Sequence, residues 1–463
     1  MLGELHDTIT ALSTPAGESG IAVIRITGVE ALDILSSIFS CNDRRRSREE
    51  WQHQRLYHGF VVDGSETIDE VMCAVMRGPD SYTGQDTVEI SCHGNTLLIT
   101  RILNLIFSRG ARCAEGGEFT KRAFLNGKID LIQAEAVADL IHARSELQRK
   151  VAHEQLAGVL SRKINRLADE LLEMLGTIEA NIDFIEEGID TLDVQASIII
   201  LDRHLRTLEE LLKDSSFSKP FREGYRVAIV GPVNAGKSSI FNRLLGENRS
   251  IVTEVPGTTR DVLREPIVLE GLLFVLQDTA GLRGTKDRIE SIGVDLAESA
   301  LSGADLVLFV VDASAPWTSE LSTRLESLHG QQTVVALNKM DLPIRITPDQ
   351  VESRFPGLSV VAVSVRTGEG LEELKKTLIE FVGGERLNWI ARERIVLNSR
   401  LISILAKTRE RIGALRRSFE QGAPLEILAL DAREALQHYE LATGKRYTAD
   451  LLDNIFSRFC IGK

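Results

Sequence analysis

The stretch "RVAIVGPVNAGKSSIFNRLLG" (226–246) decides the fold of this 463-residue chain. It begins with "RVAIVG" (226–231), a short apolar run typical of a buried strand, and ends with "SIFNRLLG" (239–246), which is typical of a helix. Between them, "GPVNAGKS" (231–238) matches G-x-x-x-x-G-K-[ST] in the strand–loop–helix context that this pattern requires. A glycine-rich turn without a ligand is the alternative. The strand, the spacing and the Lys-Ser pair all favour a loop that binds phosphate.

A loop of this kind holds phosphates with its backbone N–H groups and with the positive end of the following helix. We expect the ammonium of Lys237 to reach the β- and γ-phosphates and the hydroxyl of Ser238 to ligate Mg²⁺. The predicted nucleotide contacts in this loop are Asn234, Ala235, Gly236, Lys237, Ser238 and Ser239.

Residues 224–384 continue the same pattern, in which short apolar strands alternate with helices. Such alternation predicts a parallel sheet with helices on both faces, which is an α/β domain. The predicted strands cover 226–231, 272–278, 304–312, 333–339 and 358–364.

Three short motifs that follow the loop point to GTP. After "DTAG" (278–281) closes a strand, Asp278 is expected to hold Mg²⁺ through water and the N–H of Gly281 to contact the γ-phosphate. In "NKMD" (338–341), the two carboxylate oxygens of Asp341 match two adjacent N–H donors of guanine, which adenine lacks. In "SVR" (364–366), a backbone N–H is offered to guanine O6. The predicted contacts in these motifs are Asp278, Thr279, Ala280, Gly281, Asn338, Lys339, Asp341, Ser364, Val365 and Arg366.

The residues that promote hydrolysis follow a less common pattern. Many GTPases orient the attacking water with a glutamine after Asp-x-x-Gly, whereas Leu282 stands here and cannot do so. In "PGTTRD" (256–261), the hydroxyl of Thr259 is a candidate Mg²⁺ ligand. The amide oxygen of Asn234 either holds a monovalent cation such as K⁺, which would neutralise transition-state charge, or only caps the loop. Glu290 either positions water or is a solvated helix charge.

The rest of the chain shows two other sequence patterns. Residues 1–118 mix strands such as "GIAVIRI" (20–26) with turn residues and an amphipathic helix at 97–110, which predicts an α+β domain. From 119 to 223, and again from 385 to 463, apolar residues recur at intervals of three and four, as in long helices. We interpret these two stretches as one discontinuous all-α domain that carries the α/β domain as an insertion. Two separate helical domains are the alternative.

Composition limits the partners of the chain. Its formal net charge is −13 at pH 7, so any nucleic acid would have to bind a local basic patch. The densest basic stretches, "RERIVLNSR" (392–400) and "KTRERIGALRR" (407–417), are either such a patch or solvated helix surface. No apolar run approaches the ~20 residues that cross a bilayer, and the five scattered cysteines form no CxxC pair. We therefore expect a cytoplasmic protein with no membrane partner.

These motifs together resemble one family, MnmE (TrmE), the tRNA-modification GTPases. The N-terminal segments and the C-terminal "FCIGK" are similar to the patterns of the same family. The residues that carry the resemblance are "DTITALSTPAGESGIAVIRITG" (7–28), "YTGQDTVEISCHGN" (82–95), "GEFTKRAFLNGKIDLIQAEAVADLI" (117–141), "GPVNAGKSS" (231–239), "IVTEVPGTTRD" (251–261), "DTAGLR" (278–283), "NKMD" (338–341) and "FCIGK" (459–463).

The resemblance implies a K⁺-dependent GTPase that forms a homodimer through its N-terminal domain. With the flavoprotein MnmG (GidA), in a heterotetramer, such enzymes add an aminomethyl-type group to carbon 5 of the wobble uridine of certain tRNAs. The resemblance assigns K⁺ to Asn234, Thr253, Val255 and Thr258, and it makes Glu290 the residue that positions water. In this context the basic stretches are candidates for tRNA contacts.

The resemblance also implies that the N-terminal domain binds 5-formyltetrahydrofolate or methylene-tetrahydrofolate. A folate has a flat pterin with adjacent N–H donors, which suits Glu89, and an acidic tail, which suits Arg25 and Lys128. The family pattern adds the terminal Lys463. Without the resemblance, each of these residues would be read as a surface charge.

The family places the C-terminal "CIGK" (460–463) beside the folate. We expect Cys460 at the end of the helix "DLLDNIFSRFC" (450–460), where its thiol either attacks C6 of uracil, which would activate C5, or only shapes the pocket.

Two other functions remain as alternatives. One is an Era-like regulatory GTPase of ribosome assembly, although the chain has no GxxG-centred RNA-binding tail. The other is a lipid-anchored signalling GTPase. Neither Gly462 nor Lys463 suits a prenylation box, and no polybasic tail precedes Cys460.

Overall fold

The computed structural model describes residues 6–41, 44–183, 192–213, 215–248, 263–278, 303–328, 331–393 and 395–463. The chain divides into two compact units. Unit 1 consists of Met1–Ala138, Gln155–Asp193 and Ser418–Lys463, and unit 2 of Asp139–Glu154 and Val194–Arg417. Within the described ranges, no helix is long and apolar enough to span a bilayer.

Unit 1 begins with a seven-stranded sheet and two helices. Its strands are β1 (Ile9–Leu12), β2 (Ser19–Thr27), β3 (Phe39–Ser40), β4 (Arg55–Asp63), β5 (Glu66–Met76), β6 (Thr87–Gly94) and β7 (Arg112–Cys113), and its helices are α1 (Ala31–Ile38) and α2 (Thr96–Ser108). The strand order is β3-β4-β5-β6-β2-β1-β7. All neighbours are antiparallel except β1 and β7, so the sheet is mixed. The predicted α+β class is confirmed for this region.

The two helices cover one face of this sheet. Ile24 and Ile26 of β2 share a buried core with Ile90 of β6 and with the apolar side chains of α1 and α2. Because side chains alternate along a strand, Arg25 points to the opposite face. Arg25 is the register partner of Glu89, so this charged pair lies on the face opposite α1 and α2.

Helices account for most of the remaining chain. In chain order they are α3 (Glu118–Leu125), α4 (Leu131–His142), α5 (Glu146–Leu156), α6 (Val159–Asp183), α7 (Val194–Leu212), α8 (Ser215–Glu223), α9 (Lys237–Asn248), α10 (Ser319–Ser327), α11 (Pro348–Arg354), α12 (Leu371–Glu393), α13 (Ser399–Glu420), α14 (Leu425–Thr443) and α15 (Ala449–Phe456). In unit 1, α6 packs against α14, and Arg433 and Glu179 form an ion pair of 2.7 Å between them.

The last residues of the chain correct one prediction. The helix expected to run to Cys460 ends at Phe456, because Phe459 to Lys463 leave the helical path and dock on β-structure. Ile461 forms a β-bridge with Gly116, and the N–H of Gly117 donates to the carbonyl of Cys460 at 3.3 Å. Cys460 therefore lies in an extended tail that is fixed by its backbone.

Unit 2 contains a six-stranded sheet. Its strands are β8 (Tyr225–Val230), β9 (Leu263–Leu269), β10 (Leu272–Asp278), β11 (Leu306–Asp312), β12 (Thr333–Asn338) and β13 (Ser359–Ala362), in the order β13-β12-β11-β8-β10-β9. All pairs are parallel except β9 with β10. Separate apolar cores lie on its two faces, which confirms the predicted α/β domain.

Strand β9 was not predicted from the sequence. It contains Pro266, which has no N–H to donate and is tolerated at a sheet edge, where β9 lies. Glu270 and Gly271 both have positive φ (46° and 85°), as a tight type I′ hairpin turn requires. In the sequence, the Glu-Gly pair between two apolar runs is the feature that could have indicated this hairpin.

The helix α12 is interrupted at Gly383, where the backbone leaves helical geometry. This break lies beside residue 384, the predicted end of the inserted domain. The domain boundaries at 118, 223 and 384 stay predictions.

Candidate functional site

The phosphate loop connects β8 to α9 at the carboxyl edge of the unit 2 sheet, and two of its glycines are required by contacts. Gly231 has φ 143°, and a Cβ there would lie 2.2 Å from the carbonyl oxygen of Val310. Gly236 has φ 97°, and a Cβ would lie 2.1 Å from Nδ2 of Asn338. Asn234 has φ 62°, a left-handed conformation that asparagine adopts more readily than most residues. The loop is thus a backbone cradle with Val233 and Asn234 exposed at its rim.

Lys237 is the first residue of α9 and points its charge into this loop. Its ammonium donates to the carbonyl oxygens of Gly231 at 2.9 Å and Pro232 at 2.7 Å. Ser238 and Ser239 follow on the first turn and are exposed. The predicted cation and hydroxyls of the phosphate site therefore meet at one helix N-terminus.

The motif "NKMD" lies beside the loop, because β12 ends at the same edge as β8. Nδ2 of Asn338 donates to the carbonyl of Ala235 at 2.9 Å, and Oδ1 of Asn338 accepts from the N–H of Val365 at 3.3 Å. One buried amide thus ties the phosphate loop to "SVR". Asn338 therefore braces the phosphate loop against the segment that carries Val365.

Asp341 faces the residues that were predicted to join it. Its Oδ1 accepts from the hydroxyl of Ser364 at 2.7 Å, and its Oδ2 lies 3.8 Å from Nη1 of the exposed Arg366. The carboxylate is mostly buried, so it is oriented before any base binds. An oriented carboxylate here can accept the two N–H donors of a guanine.

One contact at this edge was not predicted. The ammonium of Lys339 lies 2.5 Å from Oδ2 of Asp312, the last residue of β11. Asp312 carries no motif of its own, so only the pairing of β11 with β12 could have pointed to it.

Several predicted residues lie outside the described part of the chain. They are Thr253, Val255, Thr258, Thr259, Thr279, Ala280, Gly281 and Glu290. Asp278 is described as the last residue of β10, without its side chain.

A second cluster of predicted residues lies on the face of the unit 1 sheet opposite α1 and α2. Arg25 donates to Oε1 of Glu89 from Nε at 2.9 Å and from Nη2 at 2.7 Å, and from Nη1 to the carbonyl of Gly462 at 3.3 Å. Within the described ranges, Oε2 of Glu89 accepts no hydrogen bond. One carboxylate oxygen of Glu89 is therefore available to accept a hydrogen bond from a ligand.

Aromatic rings surround this arginine. The Arg25 guanidinium lies 5.8 Å from the ring centre of Tyr82 and 5.4 Å from that of Phe119, which are cation–π distances. The Tyr82 hydroxyl lies 2.9 Å from that of Thr120, and burial raises the pKa of Tyr82. The ring of Phe119 is fully buried, so a flat ring system would find the exposed ring of Tyr82 and the Glu89 carboxylate together.

The C-terminal tail reaches this cluster through Gly462. Gly462 has φ 94°, and a Cβ there would lie 2.4 Å from the carbonyl of Leu12. Its own carbonyl accepts from Ser13 Oγ at 3.2 Å, and the N–H of Phe119 donates to the terminal oxygen of Lys463 at 3.2 Å. Glycine is the residue that allows this close approach.

The other predicted residues of this site are less closely joined. The ammonium of Lys128 donates to the carbonyl of Pro79 at 2.9 Å, in the loop that carries Tyr82. The thiol of Cys460 is exposed.

Comparison with known proteins identifies the family. The family description "MnmE helical domain" matches residues 131–460, and "GTP-binding protein TrmE N-terminus" matches residues 8–128. The chain belongs to the MnmE (TrmE) family of tRNA modification GTPases. It is thus a GTP-hydrolysing enzyme with an N-terminal TrmE domain, a helical domain and a P-loop GTPase domain, as its motifs predicted.

Relatives of this family are similar over the full length of the chain. The tRNA modification GTPase MnmE of Clostridioides difficile (strain 630) is 41% identical over 461 residues, which are 99% of this chain and 100% of the relative. That of Aquifex aeolicus (strain VF5) is 42% identical with the same coverage. Among solved structures, the G domain of the T. maritima FeoB iron transporter is 32% identical, with 34% of this chain and 98% of that chain covered and a TM-score of 0.27.

Proposed function

We propose that this MnmE family member is a K⁺-dependent GTPase that acts with the flavoprotein MnmG. Together they would add an aminomethyl-type group to carbon 5 of the wobble uridine of certain tRNAs, with a one-carbon unit from tetrahydrofolate. The observation that carries the proposal is the convergence of "GPVNAGKS" and "NKMD" at one sheet edge, in a chain similar over its full length to tRNA modification GTPases. The Era-like alternative does not account for that full-length similarity.

The proposed nucleotide site uses the residues of the unit 2 edge. Backbone N–H groups and Lys237 would hold the phosphates, and Asp341 with the N–H of Val365 would select guanine. Mg²⁺ would be held by Ser238 and Thr259, with Asp278 acting through water. These are oxygen ligands, which suit a hard cation.

The proposed potassium site belongs to Asn234, Thr253, Val255 and Thr258. Asn234 is exposed at the rim of the loop, so its amide oxygen is accessible to an ion. A bound K⁺ would neutralise charge in the transition state. Glu290 would position the attacking water, which Leu282 cannot do.

The proposed folate site lies on the face of the unit 1 sheet opposite α1 and α2. Oε2 of Glu89 and the exposed ring of Tyr82 suit a pterin, whereas Lys128 and Lys463 suit an acidic tail. Arg25 is held by Glu89 and Gly462, so its part in this site is to orient the carboxylate and the tail. Cys460 would lie near the one-carbon unit, either as a nucleophile or as part of the wall.

The proposed assembly is a cytoplasmic homodimer joined through residues 1–118, which binds MnmG as a heterotetramer and acts on tRNA. The basic stretches at 392–400 and 407–417 are our candidates for tRNA contacts.

Mass analysis of wobble nucleosides tests the modification directly. Transfer RNA from a strain that lacks this protein should contain unmodified uridine, and the wild-type chain should restore the modification. Unchanged nucleosides in the deletion strain would refute the proposed function.

A salt comparison tests the potassium site separately. GTP turnover in K⁺ should exceed turnover in Na⁺, and Asn234→Gly should abolish the difference while GDP affinity stays within about threefold of wild type. Glycine is the better variant here because it keeps the positive φ without strain, whereas alanine would not. Equal turnover of the wild type in both salts would contradict the site.

A further inference from the structure

We propose that Asp312 is a positioning residue of the guanine site. It fixes the ammonium of Lys339, two residues before Asp341, while the backbone of the next residue, Ala313, holds both ends of the loop that carries Asp341. The inference rests on the proposed guanine site, and it adds to that site a residue from a different strand.

The contact between Asp312 and Lys339 is short and only partly exposed. Lys339 Nζ lies 2.5 Å from Asp312 Oδ2, and 31% of the lysine side chain and 21% of the aspartate side chain remain exposed. Lys339 also has φ 69°, a left-handed conformation that is unfavourable for a residue with a Cβ. A strained residue next to Asp341 keeps its conformation only when its surroundings hold it, and the ion pair supplies that hold.

The carboxylate of Asp312 is itself fixed. Its Oδ1 accepts from the backbone N–H of Ser314 at 2.9 Å and from the hydroxyl of Ser314 at 2.6 Å. Burial opposes ionisation of Asp312, but the hydrogen bonds from Lys339 and Ser314 outweigh it and keep its pKa below the usual value for an aspartate. Asp312 is therefore charged at neutral pH and has one oxygen for each of its two partners.

The residue after Asp312 binds the same loop through its backbone. The N–H of Ala313 donates to the carbonyl of Asn338 at 2.9 Å. The carbonyl of Ala313 accepts from the N–H of Arg345 at 2.8 Å and of Ile346 at 3.0 Å. The loop from 338 to 346 is thus attached to the end of β11 at its start, at Lys339 and at its finish. Asp341 lies between these attachments.

This geometry predicts that Asp312 affects the binding of the guanine base. Loss of the carboxylate frees Lys339 and removes the contact that holds its left-handed turn. Asp341 then spends less time in the orientation that guanine needs, so nucleotide affinity falls. The phosphate loop keeps its own contacts, so the rate of the chemical step at saturating GTP is preserved.

The test compares three Asp312 variants of the full chain with the wild type by GDP affinity, KM and kcat. We expect Asp312→Ala to raise the Kd for GDP and the KM for GTP about tenfold, since a hydrogen bond to a charged group has roughly that value. We expect kcat to stay within about twofold. Asp312→Glu, which keeps the charge, should recover most of the affinity. Asp312→Asn keeps the shape and serves if the alanine variant fails to fold.

A matched control lies at the other end of β11. Asp305, just before β11, accepts from the N–H of Arg226 at 2.9 Å at the opposite edge of the sheet. Asp305→Ala removes the same charge and the same kind of backbone hydrogen bond, and should leave the Kd and KM unchanged.

A double-mutant cycle gives the decisive outcome. In a Lys339→Ala background, Asp312→Ala should change the Kd for GDP by less than about twofold, because the two residues act as one unit. An undiminished effect in that background would overturn the inference, and so would an unchanged Kd for Asp312→Ala in the wild-type background.

The underlying guanine site fails in a distinguishable way. Xanthine has a carbonyl where guanine has its 2-amino group, so Asp341→Asn should shift preference from GDP to xanthosine diphosphate. If it does not, the guanine site is wrong. If it does, the Asp312 variants test the positioning role alone.

Discussion

Two regions of the molecule bring together residues that are separated by different distances along the chain. One is the carboxyl edge of the unit 2 sheet, and the other is the face of the unit 1 sheet opposite α1 and α2. At the unit 2 edge, the bond from Asn338 to Ala235 joins residues 103 positions apart, within one α/β domain. On the unit 1 face, the bond from Arg25 to Gly462 joins residues 437 positions apart. The first site needs one domain to fold, whereas the second needs both ends of the chain. The two sites should therefore be separable by mutation.

The largest expected effect is at the unit 2 edge. Lys237→Ala removes the ammonium from the phosphate loop, and GTP turnover should fall about a hundredfold because that charge stabilises the phosphates. Steady-state phosphate release measures the effect. Lys376→Ala, which removes an exposed lysine of α12, is the control and should leave turnover unchanged. A loss below threefold for Lys237→Ala would break the assignment of this edge.

A smaller effect is expected on the unit 1 face. Glu89→Gln leaves Arg25, whose side chain is only 13% exposed, without its counter-charge. We expect a loss of roughly 1–3 kcal/mol in the free energy of unfolding and weaker binding of 5-formyltetrahydrofolate. Urea titration and calorimetry measure the two quantities.

The control is a salt bridge between β5 of the same sheet and α2. Glu66 pairs with Arg101 at 2.8 Å, but both side chains are largely exposed. Glu66→Gln should leave the unfolding transition unchanged, because solvent screens such a pair. Equal destabilisation by both variants would mean that burial of the Arg25–Glu89 pair has no consequence.

The smallest effect concerns the thiols of unit 1. Burial raises the pKa of Cys92 to about 11 and raises that of Cys73 still further, so both stay protonated at pH 8. Cys113 and Cys460 are exposed. Iodoacetamide should alkylate the exposed pair first, as peptide mapping would show. Slow alkylation of Cys460 would mean that the docked tail also covers its thiol.

The sequence indicated which motifs would meet at the unit 2 edge, because each motif there carries its own chemistry. "GPVNAGKS", "NKMD" and "SVR" identify backbone cradles and an oriented carboxylate without knowledge of distant residues. Asp312 escaped prediction because a lone aspartate at a strand end has no pattern, and its partner lies on the next strand. Strand β9 escaped because Pro266 argues against a strand unless the strand is known to be an edge.

The unit 1 face was predicted only through the resemblance to the MnmE family. Arg25 and Glu89 look like surface charges until the register of β2 with β6 brings them together. The helix expected to reach Cys460 was wrong because helical periodicity continues past Phe456, whereas the β-bridge to Gly116 decides the conformation of the tail. Contacts of this range are not encoded in a local pattern.

The central claim, that the two regions are distinct parts of one enzyme, is tested most directly by Gly462→Ala. A Cβ at Gly462 would lie 2.4 Å from the carbonyl of Leu12, so the tail should leave the unit 1 face. Gly422→Ala is the matched control, since Gly422 also has positive φ but no atom within 4 Å of a Cβ. The measurement is wobble-uridine modification in a deletion strain complemented with each variant, alongside GTP turnover of the purified chains. We predict that Gly462→Ala loses modification but keeps turnover within about twofold of Gly422→Ala. Full modification by Gly462→Ala, or equal loss of both activities, would contradict the account.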